Sequence, residues 1–290
     1  MENVTHYDLA VIGTGSGNSI VDKRFADKRV AIVEENKFGG TCLNVGCIPT
    51  KMYVYPGDLA RNARRGPELG VLTSYDGAHW PEIRDRIFGR IDPIAENGKR
   101  YRESLSNVDV YAGHATFVDD HTLTLPTEEG RTGETITADQ IVIAAGSRVN
   151  VADIPGLDEV DFHTSDTVMR LPDLPRRMAI IGGGYVAAEF AHIFSALGTE
   201  VTQIQRGPRL LRAQDEDISK EFTEVAGHQW DVRLSTTTNK VTRRGDVTAL
   251  SLSDGTELET DVLLVATGRV PNGDLLCLEN TTIEVRDGQV

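Results

Sequence analysis

The sequence predicts an α/β fold of two doubly wound domains in tandem. Two observations predict it. The order strand, glycine turn, helix, strand occurs at "YDLAVIGTGSGNSIVDKRFADKRVAIVEE" and returns at "RRMAIIGGGYVAAEFAHIFSALGTEVTQIQR". Each unit also has a later apolar strand running into a turn, "QIVIAAGSR" (140–148) and "DVLLVATGRVPN" (261–272), so whole domains repeat and not one motif alone. Length agrees, since 290 residues exceed one ordinary domain of roughly 100 to 200 residues and suit two.

In chain order, a buried strand ends at Ile12, a glycine turn follows, a helix runs to about Phe25, and a second strand covers 30–33. Beyond Lys51 lie a long helical stretch, a charged helix around 96–105, and a β-rich piece with turn signals, "VYAGHATFVDDHTLTLPTEEGR". The first domain boundary is placed near Asn150, in "SRVNVADIPG". A strand at 178–181, a glycine turn, a helix to Leu197, Gly198 as its C-cap and a strand at 200–204 complete the second unit. The domains are thus 1–149 and 150–269, followed by a segment, 270–290.

Charge narrows the function. The 44 acidic against 30 basic residues leave a net charge of −14, which repels phosphate backbones and anionic lipid headgroups. Nucleic acid and membrane are therefore not expected as partners. The N-terminus "MENVTHYDLAVIGTG" has no basic n-region, and no apolar run approaches the roughly 20 residues that span a bilayer, so the expected location is the cytoplasm. Three cysteines are too few for a disulfide scaffold.

The two glycine turns are Rossmann-like dinucleotide fingerprints. In the first, the spacing of Gly13 and Gly15 fits the fingerprint, whose glycines make the tight turn and let backbone N–H groups approach a pyrophosphate, while Asn18 stands at the third glycine position. Glu34, 21 positions after Gly13, ends the second strand where a carboxylate accepts hydrogen bonds from an adenosine ribose. In the second, Gly182, Gly183 and Gly184 precede Ala187, the alternative ending of the fingerprint. Its following strand ends in Gln205 and Arg206, with Arg209 and Arg212 close behind, where the acidic residue is expected. A carboxylate there would repel a 2′-phosphate; guanidinium groups bind one, so this site is expected to prefer NADPH over NADH. The bland alternative is a solvated basic face.

Between the units of chemistry lies "GGTCLNVGCIPTK", with Cys42 and Cys47 in C-x4-C spacing. On a regular helix their Cα atoms would stand about 8 to 9 Å apart, whereas a disulfide needs less than ~7 Å. A bridge therefore requires a distorted helix, and Gly46 and Pro49 supply the means. Such a short loop would stabilise little. Redox pair, metal site and inert core cysteines are the three readings; a tetrahedral metal wants four ligands, and no second ligand pair follows. Lys51 falls one helical turn after Cys47, on the same face, with Glu189 as a candidate partner. Two dinucleotide sites and one dithiol describe an electron path in which a flavin, FAD in the first site, links the nicotinamide to the disulfide.

With these residues in place the chain resembles the FAD-dependent pyridine nucleotide-disulfide oxidoreductases. "GGTCLNVGCIPTK" is close to that family's signature, and "GTGSGN", "GHA", "AAGS", "GGGYVAAE" and "ATGRVPN" follow in its order. The resemblance implies that Cys47 lies nearest the flavin and Cys42 is the interchange thiol, with Lys51 and Glu189 as an ion pair near the flavin N5. It implies FAD contacts from Ser16, Gly17, Glu34, Thr41, Cys42, Lys51, Ala115 and the Gly146 turn. It implies NADPH contacts from Gly183, Val186, Glu189, Arg206, Arg212 and Gly268, with Tyr185 as a gate over the flavin. His114 is expected to serve through its backbone alone. The substrate implied is a low-molecular-weight disulfide, and the full-length enzyme is expected to be a homodimer. No His-x4-Glu acid–base pair of the family occurs in these residues, so the chain is expected to be the FAD- and NADPH-binding portion of a longer enzyme. Dihydrolipoamide dehydrogenase, a glutathione-reductase-like enzyme and a non-catalytic nucleotide-binding fragment are the alternatives.

Overall fold

The structure is a computed structural model, and it describes residues 4–125, 133–286 and 289–290. The end of the expected β-rich piece, 126–132, lies outside the described residues. The chain divides into two compact units, 1–44 with 89–148 and 269–290, and 45–88 with 149–268.

The first unit is built on six strands: β1 (Thr5–Ile12), β2 (Val30–Glu34), β3 (Val108–Ala112), β4 (Thr116–Asp119), β5 (Thr122–Leu125) and β6 (Glu134–Ile143). They lie in the order β3-β2-β1-β6-β5-β4, parallel through β6 and antiparallel beyond it. The register sets Ile12 beside Val33 and Ile143, so three strands end level and their turns share one edge. Period-two alternation sends Leu9 and Val11 to one face and Ala10 and Ile12 to the other. Both faces are covered: Leu9 and Val11 pack with Ile32 and Phe38, and Ala10 and Ile12 with Phe117, Leu123 and Leu276. That is why the strand reads as an unbroken apolar run. A short helix, α1 (Gly40–Asn44), and a strand, β7 (Ser147–Val149), complete the unit's main features.

The helix expected up to Phe25 is not an α-helix. Two 3₁₀ turns, Ser16–Ile20 and Lys23–Phe25, stand there instead. The run Gly15 to Ser19 holds poor helix formers, and the Asp22 carboxylate accepts from the Arg24 N–H, which restarts the chain in a new turn. Arg102 then pins the segment by donating to the carbonyls of Asn18 and Val21 at 3.0 and 2.8 Å.

The second unit contains α2 (Cys47–Arg65) and the start of α3 (Trp80–Glu103), the helix whose last third was expected near 96–105. It continues with β8 (Arg177–Ile181), α4 (Tyr185–Ala196), β9 (Glu200–Ile204), α5 (Glu216–Gly227) and β10 (Asp231–Arg233). After these come β11 (Thr238–Arg244), β12 (Val247–Leu252), β13 (Glu257–Thr260) and β14 (Val262–Val265); β15 (Arg269–Pro271) pairs with β7. A parallel sheet, β10-β9-β8-β14, shares a core with the antiparallel β11-β12-β13, where Ala179, Ile181, Leu263 and Val265 meet Val241, Leu250 and Leu252. Gly198 follows α4 with φ of +109°, as a helix-ending glycine should.

The grouping of 45–88 with this unit has a packing basis. Its cause is aromatic. Tyr53 stacks on Trp80 with centroids 4.9 Å apart, and Trp80 meets Phe194 of α4 at 5.1 Å. All three rings are buried, and each such side chain contributes about 1.5–3 kcal/mol.

Candidate dithiol and nucleotide sites

In the first unit the glycine turn is forced by its surroundings. Gly13 has φ of +102°, and a Cβ on it would lie 2.3 Å from the carbonyl oxygen of Ala144. A Cβ on Gly17 would lie 2.3 Å from the Cβ of Ala144. The turn therefore presses against the end of β6, where Gly146 also takes a left-handed φ of +69°. Gly15 meets a second glycine turn, since a Cβ on Gly40 would stand 2.6 Å from the Gly15 Cα.

Thr14 joins these pieces, and sequence reasoning passed over it. Its N–H donates to Glu34 at 2.9 Å, its hydroxyl donates to the same carboxylate oxygen, and Gly39 N donates to Thr14 Oγ1 at 2.9 Å. The other Glu34 oxygen accepts from Asn36 N at 2.9 Å. A carboxylate has about four lone-pair sites, so acceptor capacity remains for a ribose. The signal that could have found Thr14 is the pairing of a hydroxyl beside the fingerprint glycine with an acid at the strand end.

The loop fits a dinucleotide. Its cradle has no Cβ at Gly13, Gly15 or Gly17, and Asn18 Oδ1 is buried without a hydrogen-bond partner in the structure. Ser16 and Thr41 are exposed, and Ala115 is buried. Asn44 braces α1, donating to the carbonyls of Phe38 at 3.0 Å and Gly40 at 2.9 Å. Cys42 lies in the middle of α1 and is exposed.

The second unit repeats this architecture. Gly182 has φ of +140° and a Cβ on it would lie 2.2 Å from the carbonyl oxygen of Ala266, as Gly13 does with Ala144. Gly182 N bonds Ile204 O at 2.9 Å and Ala266 N bonds Ile181 O at 2.8 Å; Gly13 N bonds Val33 O at 2.8 Å and Ala144 N bonds Ile12 O at 2.9 Å. Gly268 follows with φ of +123°, the counterpart of Gly146. Gly184 caps α4, Tyr185 opens it with its side chain exposed, and Val186 is partly buried.

The basic cluster divides in two. Arg209 pairs with Glu216 at 2.7 Å. Arg206 and Arg212 are exposed, and no ion pair joins either of them to a carboxylate among the described residues. Gln205 is buried against Gly183 and donates to Arg209 O at 3.2 Å, so it fills the place of the expected acid while Arg206 faces solvent. Leu211, at φ of +51°, donates its N–H to Gly183 O at 2.7 Å and ties the arginine loop to the glycine loop. No sequence signal pointed to Leu211, because nothing local requires a leucine in a left-handed conformation.

The required break between the cysteines is present. One helix ends at Asn44, the next starts at Cys47, and Gly46 caps it, its carbonyl accepting from Thr50 N at 3.1 Å and Thr50 Oγ1 at 2.7 Å. Pro49 is third in α2, where its missing N–H costs no helical bond. Cys47 is exposed. One turn on, Lys51 Nζ donates to Glu189 Oε1. On the same helix pair, His192 Nε2 and Asp58 Oδ1 lie 2.9 Å apart.

With two glycine turns and two exposed cysteines, Cys42 and Cys47, this chain belongs to the pyridine nucleotide-disulphide oxidoreductase family, which it matches over residues 7–290. FAD and NADPH are the cofactors that go with this membership. The chain is 49% identical to mycothione reductase of Mycobacterium tuberculosis over 287 residues, 98% of this chain and 62% of that protein. It is 35% identical to glutathione reductase of Nostoc sp., covering 98% of this chain and 61% of that one, and 34% identical to mercuric reductase of Staphylococcus aureus, covering 98% and 52%. Among solved structures, the HOCl-induced flavoprotein disulfide reductase RclA from Escherichia coli superposes with a TM-score of 0.83 at 26% identity, over 97% of this chain and 61% of that one. The chain thus spans about 62% of the length of the reductase it matches at 49% identity. No helix among the described residues is long and apolar enough to cross a membrane.

Proposed function

We propose that the protein is an NADPH-dependent flavin disulfide reductase whose substrate is mycothione, the disulfide of mycothiol, serving cellular redox homeostasis in the cytoplasm as a homodimer. The observation that carries the reaction class is the interrupted helix with exposed Cys42 and Cys47 on either side of the break. The substrate rests on the 49% identity to mycothione reductase, and the phrases "IGTGSGNSIVD", "FGRIDPIA" and "EFAHIFSALG" agree with it.

In this reading the domain that begins the chain binds FAD through Gly13 to Gly17, Glu34, Thr41, Ala115 and Gly146, and 150–269 binds NADPH through Gly182 to Val186, Arg206, Arg212 and Gly268. When bound, FAD supplies two-electron relay between nicotinamide and dithiol. The Cys42 thiolate attacks one sulfur of the substrate disulfide, forming a mixed disulfide and releasing one thiol after protonation. Cys47 then attacks Cys42, the mixed disulfide breaks, and the second thiol leaves as the Cys42–Cys47 disulfide forms. Two electrons from NADPH restore the dithiol, so one NADPH and one proton reduce one disulfide to two thiols. Lys51, oriented by Glu189, holds positive charge beside Cys47.

Arg206 and Arg212 favour this reading over a dihydrolipoamide dehydrogenase, which would want an acid where Gln205 stands. The test is a steady-state assay of the intact protein with NADPH against mycothione, glutathione disulfide and lipoamide. The highest kcat/KM is expected for mycothione; faster turnover of either other disulfide sinks the substrate assignment.

A further inference from the structure

We propose that His114 is a positioning residue for the dinucleotide of the first glycine turn, an imidazolium latch that holds the end of β2 to the carbonyl of Leu275. This rests on the reading that the first turn binds FAD. Nδ1 of His114 bonds Glu35 Oε2, and Nε2 bonds the carbonyl oxygen of Leu275 at 2.7 Å. A carboxylate and a carbonyl only accept. Both bonds therefore exist together only when both ring nitrogens carry protons. A proton on Glu35 instead would sit on the group of far lower ordinary pKa.

The placement gives the latch its effect. Gly113 N donates to Glu34 O at 2.9 Å, which sets His114 beside the segment carrying the ribose carboxylate and its neighbour Glu35. The other arm reaches a segment that already borders the Gly146 turn: Asn272 N donates to Gly146 O at 3.0 Å, and Asn272 Nδ2 to Ala145 O at 2.8 Å. Leu276 follows, buried, its carbonyl accepting from Phe117 N at 2.9 Å. His114 thus spans from the Glu34 side of the turn to the Gly146 side.

The other charged groups on the bridged segments are committed elsewhere. Glu34 is held by Thr14 and Asn36, and Asp274 is paired with Arg148 at 2.7 Å. Burial alone pushes the His114 imidazole down, but the Leu275 carbonyl and the Glu35 carboxylate carry it the other way, and its pKa stands above the ordinary value for histidine. A raised folded-state pKa means that the latch contributes fully below about 6.5 and is lost as pH rises through the higher folded value.

The test is FAD affinity as a function of pH, with the His114 imidazole followed by NMR in the FAD-free protein. The wild-type Kd for FAD is expected to rise about three- to tenfold from roughly pH 6 to 9, the partial effect of losing one charge-assisted hydrogen bond. His114→Gln, which presents one donor and one acceptor, should lose that dependence and bind FAD as the wild type does at high pH. Glu35→Gln, checked for folding by circular dichroism, should lower the NMR midpoint of His114. A His114 imidazole that titrates at or below the ordinary value of about 6.5, or a His114→Gln variant with the wild-type pH profile, overturns the proposal. FAD that binds the wild type with no pH dependence overturns it alone, whereas no FAD binding at any pH overturns the first-turn reading as well.

Discussion

Arg206 and Arg212 carry the sharpest single-residue distinction in the protein, because they are exposed and have no carboxylate partner among the described residues, while their neighbour Arg209 is already bound to Glu216. Contacts to a 2′-phosphate exist in NADPH and not in NADH. Arg206→Ala with Arg212→Ala should weaken NADPH by about 1.5–3 kcal/mol per lost charged hydrogen bond and leave NADH nearly unchanged. Equal losses for both nucleotides in a binding titration would remove the assignment. Lys51 offers the opposite separation. Its side chain is 67% exposed, and exposed ion pairs contribute about 0–1 kcal/mol to stability. Lys51→Met should therefore shift unfolding little but lower disulfide turnover at least about tenfold, ~1.4 kcal/mol in the barrier. A large loss of stability with normal turnover in the folded fraction would make the pair structural.

At the scale of elements, the break between α1 and α2 and the paired glycine turns do the positioning. Gly40 is left-handed, at φ of +65°, and a Cβ on it would stand 2.6 Å from backbone at Gly15. A side chain cannot move that contact aside, so Gly40→Ala should cost about 1–3 kcal/mol and weaken FAD. Gly57→Ala, whose added Cβ would meet Ala196 at an ordinary 3.5 Å, is the control expected to be near neutral in a denaturation series. The cysteines on the two helices should differ in kind. Cys47→Ser should lose the long-wavelength absorption that a thiolate beside the flavin gives on reduction, and Cys42→Ser should keep it, while both block turnover. Retained turnover in both single variants would mean that the dithiol is structural.

For the whole molecule, the two nucleotide turns belong to separate compact units, and each turn is completed by its own companion strand. Ligand binding to a folded unit stabilises it, by about 2.7 kcal/mol at a hundred times Kd. NADPH should accordingly protect amides near Gly182 and Arg212 from hydrogen exchange, and FAD those near Gly13 and Glu34. Protection of the Gly13 turn by NADPH alone would show that the nucleotides had been assigned to the wrong turns.

What the sequence determined by itself is whatever depends on neighbours along the chain. The strand at 200–204 and the helix closing at Gly198 follow from apolar periodicity and a helix-ending glycine, and the structure has them at those residues. The interruption at Gly46 was legible because a helix keeps residues five apart too distant to bridge. Tertiary structure decided the rest, because its causes lie far away in sequence. The segment after Ile12 forms 3₁₀ turns, and Arg102, far along the chain, holds them through the carbonyls of Asn18 and Val21. Residues 45–88 join the second unit because Trp80 finds Phe194, 114 positions later. Thr14, Leu211 and His114 gain their places from hydrogen bonds to residues distant in sequence: Thr14 with Glu34 and Gly39, Leu211 with Gly183, and His114 with Glu35 and Leu275. Burial and directional bonding choose those partners only after the chain has closed on itself, so no local pattern announces them.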